Sequence, residues 1–222
     1  MRPRAEHQVA PGRRRPQQDR SSAKVDSIVS ATALLLCAAQ ASDLTARTIA
    51  TAAGVSPATV YRYFRDVDHV IEAVLVAHAD AANAAVSAAL ATSRHRTVAG
   101  VFRMVVDTHL RLYEARPDLT ATWESEELAE RRRNIEIESD RSLAQQVGRH
   151  LLDKGMISQL TGTEALLLDA HWAAAGTLLG RVLGADHAAH PILLDELRRL
   201  VDHFSTRYGP SAKRSPATIE IS

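Results

Sequence analysis

The chain has 222 residues, a formal charge of +1 and one cysteine, with 45% hydrophobic, 24% charged and only 4% aromatic residues. Such a composition describes a globular, aliphatic, alanine-rich chain that fits one domain or a small domain fused to a larger one, and it excludes an intrachain disulfide. The small net charge conceals an asymmetry, because ten Lys or Arg stand against four Asp or Glu through Arg65, and 17 against 22 beyond it. Positive potential is therefore concentrated at the N-terminal end, where it would attract a polyanion.

Met1 to Arg20 is rich in Arg, Pro and Gln, includes Arg13-Arg14-Arg15, and has almost no apolar pattern. It reads as disordered, either a solvated tail or an arm able to reach phosphates or a minor groove. The first helix is expected over roughly Ser22 to Gln40, with Val25, Ile28, Leu35 and Ala39 on its buried stripe and Cys37 in its core. The apolar run from Ala33 to Ala39 is too short for a signal peptide, and no stretch reads as a membrane span, so the expected compartment is the cytoplasm.

The most informative stretch is Leu44 to Phe64, L-T-A-R-T-I-A-T-A-A-G-V-S-P-A-T-V-Y-R-Y-F. Thr45 can cap a helix ending near Ala53, with Ile49 and Ala53 on one face, and Gly54 permits a positive-φ exit. Ser56 supplies the acceptor for a second helix start, and Pro57 occupies the position where no N–H is missed. Two short helices joined by a tight turn make a helix-turn-helix. The second helix presents Pro57, Ala58, Thr59, Tyr61, Arg62 and Tyr63, a set with hydroxyls and a cation but no carboxylate. Hydroxyl groups of Ser56, Thr59, Tyr61 and Tyr63 can bond phosphate oxygens, and Arg62 can reach a phosphate or a base edge. An ordinary helical hairpin with half-buried tyrosines is the alternative.

The stretch from Val25 to Leu75 resembles the N-terminal domain of TetR-family transcriptional regulators through the pattern I-A-x-x-A-G-V-S-x-x-T-V-Y-x-Y-F. The resemblance implies packing roles for Ile49, Ala50, Ala53, Gly54, Val55, Val60 and Phe64. It places Thr45, Ser56, Thr59, Tyr61 and Tyr63 on positions that commonly touch DNA. In the family a lysine often follows the Phe by three positions, whereas this chain reads Phe64-Arg65-Asp66-Val67-Asp68, so Arg65 is the candidate to replace that phosphate contact.

Helix 4 is expected from about Val67 for some 23 residues, ~34 Å of rise, enough to join two domains. Thr92 to Arg96 reads as a break, helix 5 as Thr97 to Ala115, and Arg116-Pro117 as a stop. Thr120 to Lys154 reads as one helix whose Glu127/Arg131 and Arg132/Glu136 pairs lie on a solvated face, with Gly155 as its cap and Gly162 as the next break. Two further helices fit Thr163 to Leu183 and Pro191 to Tyr208, and a disordered tail follows Gly209-Pro210.

Leu193, Leu197, Leu200 and Phe204 form an apolar stripe, and Gly176, Gly180 and Gly184 recur every four residues. Intramolecular packing would account for both, but the resemblance implies a four-helix interface built from the last two helices of each subunit. Candidate effector-pocket residues are Phe102, Met104, Val105, His109 and Tyr113 on helix 5, then Trp123, Leu143, Val147, His150 and Leu151, then His171 and Trp172. The same residues at helical spacing also suit an ordinary core. His187 and His190 lack a third ligand in recognisable spacing, so no metal and no cofactor is expected. No phosphate loop, nucleophile elbow or H-E-x-x-H helix is present, and the chain reads as a non-enzyme.

The architecture expected is all-α with about nine helices: a basic arm over 1–20, a three-helix DNA-binding domain over 21–66, an effector-binding and dimerisation domain over 67–209, and a tail over 210–222. The corresponding function is a dimeric regulator, a repressor, on a palindromic operator, released by a small apolar effector and bound to no membrane. An activator or an ungated DNA binder is the alternative, and an α-helical enzyme or small-molecule carrier is the rival from another class.

Overall fold

Cap chemistry sets the elements of the N-terminal half. The computed structural model describes residues 15–157, 162–184 and 188–208. After α1 (Arg15–Leu36) and a single 3-10 turn at Ala41–Asp43, α2 (Ala46–Ala53) starts on Thr45, whose hydroxyl accepts from the Thr48 N–H while the Thr48 hydroxyl accepts from the Thr45 N–H. This reciprocal cap satisfies two orphan donors at once. Gly54, at φ 67°, ends α2, and the Val55 N–H returns to the Ala50 carbonyl at 2.9 Å. Helix α3 (Pro57–Tyr63) begins on Ser56, whose Oγ accepts from the Thr59 N–H at 3.2 Å.

A Cβ at Gly54 would meet nothing within 4 Å, so substitution there is opposed by backbone conformation alone. Gly54→Ala is therefore expected to lower stability by about 1–2 kcal/mol, read from urea unfolding of the full chain.

Helix α4 (Val67–Thr92) is capped by Asp66 and has 26 residues, about 39 Å of rise. By length and composition alone it could cross a membrane, a test that the core helix of a soluble protein also passes. Here it is the shared core helix, packed against α1, α5 (Val98–Ala115) and α7 (Ala129–Asp153). Its Val70, Ile71, Val74 and Leu75 enter the N-terminal core with Ile28, Leu36, Leu44, Ile49 and Val60. Its Val86 and Leu90 enter the second core, with Val101, Phe102, Val147, Leu151, Trp172 and Leu197. Helices α8 (Gly162–Leu183) and α9 (His190–Tyr208) complete that second core. The described residues form nine α-helices and no strand.

Three expectations are corrected. Helix α1 starts at Arg15, inside the stretch read as disordered, because Pro16 is tolerated in a first helical turn and Gln17 to Ala23 contains no breaker. It also stops at Leu36, so Leu36 rather than Leu35 is buried, Ala39 lies outside the helix, and Cys37 is exposed instead of in the core. Finally, the stretch from Thr120 to Lys154 is divided: Pro117 opens α6 (Pro117–Glu124), and α7 starts only at Ala129. The Arg132 guanidinium donates to the Thr122 carbonyl at 3.0 Å and to the Ser125 carbonyl at 3.5 Å, satisfying acceptors at the open end of α6. Leu128, in the intervening turn, is 1% exposed and packs in the N-terminal core.

Gly155, at φ 65°, follows α7 as expected, and α8 starts at Gly162, one residue before the expected start at Thr163. Residues 1–14 of the expected arm, the expected tail over 210–222 and His187 lie outside the described residues.

Candidate nucleic-acid interface and interior cavity

Val60 anchors α3 in the N-terminal core at 1% exposure, which turns the opposite face outward. Ser56, Pro57, Ala58, Tyr61 and Arg62 are exposed, Thr59 and Tyr63 half-buried, and Thr45 and Arg65 exposed beside them. No acidic residue lies within α3. Several of these groups already have partners. Ser56 Oγ and Thr59 Oγ1 lie 2.9 Å apart, so one hydroxyl proton is shared between them. Ser21 Oγ and Arg62 Nη2 both donate to the Tyr63 hydroxyl, at 3.2 and 3.1 Å, and the Arg62 guanidinium lies 4.9 Å from the Tyr63 ring centre. The Ser21 bond is the leading cause of the lowered Tyr63 pKa. Arg62 is thus held over Tyr63 and must swing away to reach a base edge.

Arg65 donates to Asp66 at 3.2 Å. The His69 ring and backbone N–H both bond the Asp66 carboxylate and hold it well below the usual carboxylate range. The start of α4 therefore carries an Arg-Asp-His cluster that spacing alone did not disclose.

Behind this domain, α4 to α8 enclose a cavity of about 80 Å³. Its walls are mostly apolar, with Leu75, Ala79, Val106, Leu119, Leu143 and Leu179 among them. Of the residues singled out from the sequence, His109, Tyr113, Leu143 and Trp172 line it. The others do not: Phe102, Val105, Val147 and Leu151 are buried in the core, and Met104 packs against it. His150 is half-buried elsewhere, and His171 stacks on Phe204 at 3.8 Å and lies 2.9 Å from the Tyr208 hydroxyl. The side chain of Trp123 lies outside the described residues.

Polar groups missed in the sequence complete the wall. Arg132 meets Glu136 at 2.9 Å, so this pair lines the cavity instead of a solvated face. Arg131, expected to pair with Glu127, instead reaches across to Asp68 at the start of α4, at 2.9 Å. Asn83 of α4 donates to Ser139 of α7 at 3.1 Å. His78 joins α4 to α6 through Thr122 Oγ1 at 2.9 Å and Asp118 Oδ2 at 3.4 Å. Burial lowers the pKa of His78 and of His109. A neutral His109 bonds the Val105 carbonyl through Nδ1–H at 2.9 Å, which leaves Nε2 as an acceptor. Burial, with Glu136 and Asp169 adding to it, pushes the Asp140 carboxyl up to about 6. It also raises the Tyr113 phenol above its ordinary range. No group of three His, Cys, Asp or Glu side chains among the described residues is placed to hold a metal ion.

The residues expected at a dimer interface differ in their burial within the chain. Leu197 is fully buried within the chain, Leu193 and Phe204 pack against the same core, Leu200 and Gly180 are half-buried, and Gly176 lies in the cavity wall. Helix α9 packs against α5 as well as α8, and Gly180, Leu193, Leu200 and Phe204 remain half-buried in the single chain. The exposed apolar surface of the pair is offset, with Leu166 and Leu167 on α8 and Ile192 on α9.

Residues 28–74 match the family model for bacterial regulatory proteins, tetR family. No curated protein matches the chain. Among solved structures, a TetR-family transcriptional regulator from Streptomyces coelicolor is 17% identical with a TM-score of 0.67, covering 84% of this chain and 98% of that one. The fatty acid degradation regulator FadR from Bacillus halodurans is 17% identical with a TM-score of 0.58, covering 86% and 97%. A TetR transcriptional regulator from Rhodococcus sp. RHA1 is 19% identical with a TM-score of 0.57, covering 83% and 96%. At these identities the likeness concerns the fold. Residues 28–74, which span the capped α2–α3 unit, are thus similar to the tetR family of bacterial regulatory proteins, and the chain has the fold of the TetR-family structures that it matches.

Proposed function

We propose that the protein is a cytoplasmic, dimeric repressor that reads a palindromic operator with α3 and releases it when a small molecule enters the α4–α8 cavity. The observation that carries this reading is the course of α4, which follows α3 after a three-residue link and then supplies Leu75, His78, Ala79 and Ala82 to the cavity wall. One rigid element thus touches both places. Two copies of α3 would enter successive major grooves, with half-sites about one turn apart, ~34–36 Å, or further where the pair is set wider.

The cavity's size supports gating. Drug-sized ligands occupy pockets of about 300–1,000 Å³, so at about 80 Å³ this form must widen to admit one. Widening displaces α4 against α7 and changes the separation of the two reading heads. Ligand weakens DNA binding only as far as it prefers that wider form. Dimerisation is assigned to the outer face of α8 and α9, where Leu166 and Ile192 are 71% and 66% exposed; a stable pair should bury on the order of 1,200–2,000 Å².

Thr59→Ala and Tyr61→Phe each remove one hydroxyl from the outward face of α3 without touching Val60. Each is expected to weaken operator binding by about 0.5–1.5 kcal/mol while leaving the dimer intact, measured by equilibrium titration and sedimentation. Normal operator affinity in both variants would refute this contact face. Binding should also fall with log salt at roughly −0.9 per phosphate neutralised and favour operator over random duplex; an enzyme or carrier would do neither.

A further inference from the structure

We propose that the cavity's effector is a small organic cation with an apolar body, its charged nitrogen seated by Asp140 and Glu136. The inference rests on the ligand-gated reading above and names the chemistry that the site selects.

Among the described residues the cavity wall carries two carboxylates, Glu136 and Asp140, against one guanidinium, Arg132. Arg132 is committed to Glu136 and to the carbonyls of Thr122 and Ser125. Asp140, one turn further along α7, has no ion pair or hydrogen bond among the described residues, and the charges of the Glu136 and Asp169 carboxylates act on it unfavourably. His78 and His109, the remaining basic groups of the wall, are kept toward the neutral form by burial. A half-buried carboxylate set among like charges is disfavoured in its ionised form, and a cation brought by a ligand offsets that cost.

A second group in the same wall also lacks a partner. Trp172 is only 6% exposed, lines the cavity, and its indole N–H has no acceptor among the described residues. A buried donor without an acceptor costs roughly 1–3 kcal/mol, which an oxygen on the ligand would recover. The apolar remainder of the wall, from Leu75, Val106, Leu119 and Leu179, calls for a hydrocarbon or aromatic body. An anionic ligand would face Asp140 with no uncommitted cation in the wall to receive it. A bare metal ion would find no group of three ligating side chains among the described residues.

The test uses the purified full chain without DNA and three probes of one skeleton: 2-phenylethylamine, 2-phenylethanol and 3-phenylpropanoate, each titrated by calorimetry. The amine should bind about tenfold or more tightly than the alcohol, with the acid weakest. Asp140→Asn, which removes a charge left unpaired in the empty cavity, should fold normally and lower amine affinity about tenfold without changing affinity for the alcohol or for DNA. Equal or better binding of the alcohol or acid, undiminished amine binding by Asp140→Asn, or no amine binding at millimolar concentration would overturn the proposal. The ranking of probes on the unaltered chain does not depend on the variant folding. A chain that ranks the probes as expected but selects no operator would refute the regulator reading alone; operator selection without amine preference would refute only the cation.

Discussion

Replacing Arg132 with Met should lower the unfolding free energy by about 2–3 kcal/mol at pH 7.5 and by distinctly less at pH 5. Arg132 is a buttress with two roles: it meets Glu136 at 2.9 Å in the cavity wall and holds the carbonyls of Thr122 and Ser125. Truncating one partner of a fully buried pair costs about 3–5 kcal/mol, and the lower figure reflects a Glu136 side chain that keeps 30% of its exposure. Burial already raises the Glu136 pKa above its ordinary value. A carboxyl raised on folding contributes stability below its unfolded pKa and loses it as pH rises through the folded value. Loss of Arg132 raises the folded value further, so acid relieves the variant by protonating Glu136. Adding Glu136→Gln should recover much of the loss at pH 7.5. Urea unfolding of the three chains at both pH values decides it, and an equal loss at pH 5 and 7.5 would show that the carbonyl contacts, not the ion pair, are what matter.

Leu128→Ala should cost about 2–5 kcal/mol, as expected for a Leu truncated at a fully packed site. The larger consequence is functional. Leu128 belongs to the turn between α6 and α7, yet it is buried in the DNA-binding core, and Ile135 of α7 packs beside it. Arg131 adds the link to Asp68 at the start of α4, and Arg132, the next residue, is already in the cavity wall. Within about five residues the chain therefore runs from the DNA-binding core to the cavity. On the proposed ligand-gated reading, truncation at Leu128 should weaken release by the effector, measured as the ratio of operator affinities with and without it. An unchanged ratio would remove this turn from the coupling.

The N-terminal domain was legible because its constraints are local. Thr45, Gly54, Ser56 and Pro57 dictate helix starts and stops within a few residues of themselves, and the structure places all four in those roles. Thr48, which completes the cap, lies within the same reach but carries no signal of its own in the sequence pattern. The end of α1 was less legible: the run Leu34-Leu35-Leu36-Cys37-Ala38-Ala39 has no breaker, yet the helix stops at Leu36. Cavity residues were harder still. His109 and Trp172 stood out by type, but Arg132, Glu136 and Asp140 read as a polar stripe on one helix, and only the approach of α4, α5 and α8 turns that stripe inward. The same limit applies to Leu197 and Phe204, whose spacing suits an interface between copies as well as the interior contact they make.

The most direct test of sequence-specific DNA binding through α3 is selection of genomic fragments by the purified full chain at near-physiological salt, run in parallel with Thr59→Ala/Tyr61→Phe. A recurrent palindrome retained by the unaltered chain and depleted with the double variant is the predicted result. Salt-labile retention with no recurrent sequence, or equal retention by both chains, would contradict it.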